Sequence, residues 1–120
     1  MRVILPILLL LAQPATAQPL YKSMAQCAGL MRSMEDLTRR DEIARTLDLA
    51  AAIWVAEAKK TAPSPFQVEA WVEQTRADWT GRGGFVVFSR DFTDWTNYCG
   101  ALGLHLGLSF PSPPESHKTW

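Results

Sequence analysis

The chain has 120 residues, with 12 Lys and Arg against 12 Asp and Glu, 48% hydrophobic residues and two cysteines. That length accommodates one domain, and a formal charge of zero provides no basic footprint for nucleic-acid phosphates or an anionic membrane surface. Five Trp, five Phe and only 20% charged residues exclude wholesale disorder.

Residues 1–17, MRVILPILLLLAQPATA, have the layout of a cleaved export signal. Arg2 supplies the positive end, Val3 to Ala12 an almost unbroken apolar run, and Ala15 and Ala17 an A-x-A cleavage site before Gln18. The apolar run is only half the length of about 20 residues that crosses ~30 Å of hydrocarbon, so no membrane span is expected after cleavage. Removing the leader leaves 103 residues with a net charge of −1, and directs the protein to the periplasm or the extracellular medium. In such an oxidising compartment Cys27 and Cys99 are expected to pair. Closing so long a loop is worth up to roughly 4 kcal/mol by the chain-entropy model.

In the remaining chain, Leu20, Met24, Cys27, Leu30 or Met31, and Met34 keep a three-to-four residue rhythm and predict a first helix over 20–35. Thr38 with Asp41 makes a weak capping box for a second helix through Ile43, Leu47, Ala50, Ala51, Trp54 and Ala58. Lys59 and Lys60 close it, and Ala62-Pro63-Ser64-Pro65 ends it. Ser64 as cap, Pro65 at the first helical position and Gln67 open a third helix, with Val68, Trp71, Val72, Thr75 and Trp79 on its inner face. Gly81-Arg82-Gly83-Gly84 stops it.

Residues 85–110 carry two patterns. Phe88, Phe92, Trp95, Cys99, Leu102 and Leu106 keep helical spacing, and Gly107-Leu108 fits a helix stop, predicting a fourth helix over 89–106. The alternative is α+β, with short strands near 85–88 and 104–110. The expected architecture is therefore an all-α, four-helix bundle over 18–108 braced by one disulfide, followed by a flexible Pro-rich tail over 109–120. Gly100, Gly103 and Gly107 would share one side of the fourth helix and admit another backbone there, that of the first helix beside the disulfide.

The chemistry-bearing patterns are sparse. The chain contains no G-x-S-x-G, H-E-x-x-H, C-x-x-C or P-loop motif. His105 falls on the outer side of the fourth helix and His117 in the tail, too few imidazoles for a zinc site once the cysteines are paired. The acid pairs Glu35/Asp36, Asp41/Glu42, Glu69/Glu73 and Asp91/Asp94 suit helix termini and solvated faces. No catalytic residue, metal or cofactor is expected. The second helix alone exceeds ordinary patterning: Leu49 to Ala56 contains no polar residue. With Ile43, Leu47 and Trp54 inward, Leu49, Ile53 and Ala56 point the other way. Either this helix is the central one, or its second stripe faces a partner. The expected function is an exported, non-enzymatic interaction module, for instance an inhibitor or immunity-type protein. It would engage a protein partner or a second copy through Leu49, Ile53 and Ala56, or through Trp79 beside the glycine loop. A small hydrolase using surface carboxylates and a structural or stress-related envelope protein are the alternatives.

Overall fold

The computed structural model describes residues 18–112, which leaves the expected leader at 1–17 and the tail from 113 onward outside the described residues. Four helices build it: α1 (Leu20–Leu37), α2 (Asp41–Lys59), α3 (Pro65–Gly81) and α4 (Arg90–His105). A 3-10 turn at Gly84–Phe88 joins α3 to α4. The all-α bundle is thus the architecture, and no strand occurs among the described residues. The α+β alternative fails for local reasons. Gly83 takes φ +86°, the Val86 N–H donates to the Gly83 carbonyl at 3.1 Å, and the apolar run 85–88 curls instead of extending. Residues 104–110 finish α4 and leave it through a Schellman stop. The Leu108 N–H donates to the Gly103 carbonyl at 2.9 Å and the Gly107 N–H to Leu104 at 3.1 Å, with Gly107 at φ +71°.

The helix starts follow from their caps. Ser64 Oγ accepts from the Gln67 N–H at 3.3 Å with Pro65 behind it, and Ser89 Oγ accepts from Phe92 at 3.1 Å. The expected Thr38 box does not form. Thr38 Oγ1 takes the Arg40 N–H instead, and α2 begins at Asp41 without a side-chain cap, its first turn carrying Asp41 and Glu42 against the helix dipole.

The central helix is α1, not the more apolar α2. It packs along both α2 and α3, and its Met24, Ala25, Cys27, Ala28, Gly29, Leu30 and Ser33 are all buried. Lys22, Gly29 and Asp36, two turns apart in succession, mark the line that meets α3. Lys22 Nζ lies 3.9 Å above the Trp71 ring, and Asp36 takes a two-pronged contact from Arg76, both hydrogen bonds 2.6 Å. Between them, a Cβ on Gly29 would stand 2.5 Å from Thr75 Cβ and 2.7 Å from the Val72 carbonyl oxygen. The close backbone approach expected of the α4 glycines therefore occurs here. Gly100 faces open space, and Gly103 meets side chains. On its other flank α1 holds α2 through the ion pair of Arg32 with Asp48. The Cys27–Cys99 disulfide, both residues buried with Cα atoms 5.7 Å apart, ties α4 to the middle of α1 as expected.

Two outcomes follow from this seam. Gly29→Ala gains helix propensity but drives a methyl into the α3 backbone, and is expected to lose about 1–3 kcal/mol of stability in a denaturant melt. The Arg76 guanidinium, chiefly by hydrogen bonding, holds the Asp36 carboxyl below the usual Asp range. A carboxyl whose folded pKa is depressed stabilises the fold above its unfolded value and loses that contribution as pH falls through the folded one. With about a third of each side chain exposed, solvent screening limits the pair to about 0.5–1 kcal/mol. Asp36→Asn is expected to remove that amount at pH 7 and to flatten the part of the stability profile below about pH 4, as measured by thermal melts across pH.

Candidate functional site

Because α2 and α4 both pack against α1 and not along each other, an apolar groove of about 300 Å³ opens between them. Leu47, Ala50 and Trp54 of α2 form one wall, Thr96, Cys99 and Gly100 of α4 the other, and Met31 of α1 the floor. Phe110 and Pro111 close one end. The order of these residues reflects local geometry. Trp54 is fully buried, and Phe110 stacks against it at 5.4 Å with the rings tilted by 34°. Gly103 makes this possible, since a Cβ there would lie 2.8 Å from Phe110 Cε2. The chain just after α4 is therefore drawn back onto the bundle at Phe110, within the region that composition assigns to the tail.

The lining carries no charged side chain. Its hydroxyls, Thr46 and Thr96, are spent on their own helices, donating to the Glu42 and Phe92 carbonyls at 2.9 and 2.8 Å. Gly100 leaves a gap in the α4 wall that a Cβ would enter without meeting any atom within 4 Å. An interior helical glycine costs up to about 1 kcal/mol against Ala, and no packing contact among the described residues offsets it at this position.

Beyond the groove rim, α2 continues apolar. Ile53 is half-buried and lies ~60° around the helix from Ala50, followed by exposed Ala56 and by Leu49, 56% exposed. Three of the four residues expected at a partner surface, Leu49, Ile53 and Ala56, thus sit together on one face, and that face runs into the groove. The fourth does not. Trp79 is only 4% exposed, packed edge-on against Phe92 at 5.4 Å and covered by the Arg82 guanidinium at 4.4 Å. Its large ring fills the α3–α4 corner beneath the glycine loop, so it supports the core. Arg82 itself is held by Asp91 at 2.6 Å.

The acidic pairs are distributed over separate ion pairs: Asp36 with Arg76, Glu69 with Lys59 at 2.8 Å, Asp91 with Arg82, and Asp94 with Arg90 at 4.0 Å. Glu35, Asp41 and Asp48 line an open recess with Ala44 and Arg45, where Arg32 engages both Glu35 and Asp48 to join α1 to α2. No group of three or more potential ligands converges on a metal position among the described residues. His105 is exposed, as its wheel position predicts. No helix among the described residues is long and apolar enough to cross a membrane.

Sequence patterning missed the groove itself. Its walls consist largely of residues that read as ordinary core, and its end is closed by Phe110, which the sequence placed in the tail or in an alternative strand. The one signal was Gly100, a helical glycine without a packing neighbour.

The fold defines a small helical bundle braced by a single disulfide, with an apolar depression set between two helices that share a third. No protein-family model matches the chain, and neither a curated protein nor a solved structure does.

Gly100→Leu tests the groove directly. The substitution enters open space and improves helix propensity. Thermal stability is expected to be unchanged or to rise by up to about 1 kcal/mol, while fluorescence titration shows weaker uptake of the neutral apolar dye Nile red. Equal dye binding by both proteins would mean that the groove does not receive apolar molecules.

Proposed function

We propose that this chain is a small exported, non-enzymatic binding protein that engages a protein partner through the apolar face of α2. The observation that carries this reading is the α2 face of exposed Leu49, half-buried Ile53 and exposed Ala56, set beside the apolar groove that Leu47, Ala50 and Trp54 of the same helix line. A contiguous apolar surface of this kind on a folded domain marks an interaction site more often than a solvated one. Export is supported by the leader-like composition of residues 1–17 and by the Cys27–Cys99 bridge, which persists in oxidising compartments. The periplasm and the extracellular medium both satisfy these conditions, and an inhibitor or immunity-type role against another exported protein fits a small, stapled scaffold. The hydrolase alternative draws no support from the recess at Glu35, Asp41 and Asp48, because two of its three acids are committed to Arg32.

Leu49→Glu and Ala56→Glu place charge on exposed positions of α2. Each variant is expected to melt within about 0.5 kcal/mol of the unchanged protein and to lose association by at least tenfold, read by light scattering for self-association and by capture from the envelope fraction for a different partner. A variant that unfolds would show the stripe to be packing surface. A folded variant that still associates would place the interface elsewhere.

A further inference from the structure

The 3-10 turn at Gly84–Phe88 bears two strongly exposed aromatic side chains, Phe85 at 87% and Phe88 at 81%, while the comparably exposed Phe66, at 83%, stands alone in the first turn of α3. With three residues per turn, positions 85 and 88 eclipse each other and share one side. The turn is firmly seated. Val86 is buried and Val87 half-buried beneath it. The Val86 N–H is bonded back to Gly83, and the Val86 carbonyl accepts from both the Ser89 N–H at 2.9 Å and Ser89 Oγ at 2.7 Å. Two phenyl rings are thus held outward on an ordered platform, at the corner between α3 and α4 and away from the α2 stripe.

We propose that this turn is a peripheral membrane-docking knob whose Phe85 and Phe88 rings enter the apolar zone of an uncharged lipid surface. The choice of partner follows from charge and area. From Gly83 to Ser89 the chain carries no charge, and the flanking cations, Arg82 and Arg90, are each matched by an acid, Asp91 at 2.6 Å and Asp94 at 4.0 Å. The knob therefore has no net attraction for anionic headgroups, and zwitterionic lipid suffices. A phenylalanine carries ~150–250 Å² of surface, so the two rings expose on the order of 300–400 Å². A specific protein interface buries about 800 Å² on each partner, more than this knob supplies to a second copy or to another protein. A bilayer requires no matching patch, because the rings are transferred singly into the interfacial zone. Binding of this kind is weak and reversible, and leaves the α2 face free.

The test is sedimentation with phosphatidylcholine vesicles of protein purified from expressing cells, compared with its Phe85→Ser/Phe88→Ser double variant. Both proteins share residues 1–17 in the same processed state, so any contribution from that segment cancels. Partitioning of the unchanged protein is expected to fall roughly 10- to 100-fold in the variant, to be insensitive to added sodium chloride, and to be largely retained by Phe85→Leu/Phe88→Leu. A Phe88→Trp variant provides an independent readout, since its added emission should be quenched by brominated phosphatidylcholine. Equal partitioning of the unchanged protein and the serine variant, or no partitioning at millimolar lipid, overturns the proposal. So does absence of quenching in Phe88→Trp, or loss of a lipid-free protein complex in the serine variant.

Discussion

The bundle depends on how closely α3 can approach α1. At Gly29 the two backbones come within the distance that a single methyl group would occupy, and on either side the α1 line is held by unlike devices: the Lys22 ammonium over Trp71 at one end and the Asp36–Arg76 pair at the other. Each polar contact is modest alone, since surface ion pairs contribute about 0–1 kcal/mol. Their value lies in orientation, because they hold the helices in register while the buried small residues of α1 bring apolar neighbours into contact. Dispersion falls off steeply with separation, so the close approach that Ala, Gly and Ser permit brings more atoms of the two helices into contact.

This constraint determines where the rest of the molecule can go. With α2 and α3 both occupying flanks of α1, α4 is left with a narrow contact, and the Cys27–Cys99 bridge supplies covalently what packing area does not. One consequence is that α2 and α4 stand apart. The chain beyond α4 partly fills the gap by laying Phe110 on Trp54 across Gly103, and the unfilled remainder is the groove. The groove is therefore a product of topology: three helices share one partner, and two of them have no contact seam between them.

The sequence made much of this legible, and its failures have a common cause. Helix positions followed from periodicity and punctuation, since Ser64-Pro65 and Gly107-Leu108 each enforce one backbone geometry and leave little alternative. The cysteines fell on buried faces because the apolar rhythm placed them there. What failed was the ranking of burial. Helix α2, with eight consecutive apolar residues, read as the helix most in need of cover, yet Leu49 and Ala56 are exposed. Helix α1, with Ser23, Ala28, Gly29 and Ser33, read as ordinary and is the hub. Hydrophobicity measures the gain from leaving water, whereas a central helix also requires close approach from several sides, which small residues permit and periodicity does not register. Trp79 carried two readings: the helical rhythm put it on the inner face of α3, where it lies, and its place beside the glycine loop suggested a partner surface, which Arg82 and Phe92 preclude by enclosing the ring. Phe110 was invisible to pattern because its contact depends on a missing side chain at Gly103.

Exposed apolar side chains remain at several places on the bundle. Leu49 and Ala56 lie on the outer side of α2, Phe85 and Phe88 at the α3–α4 corner, Phe66 at the start of α3 and Leu104 near the end of α4, and none of them belongs to the buried cluster centred on Met24, Leu30, Trp54 and Val68. A domain of this size has a modest core to spare, so exposed rings that leave that core intact have little folding reason to be where they are. A chain built in this way can present one face to a protein and another to a lipid surface without either demand disturbing the α1 seam that both rest on.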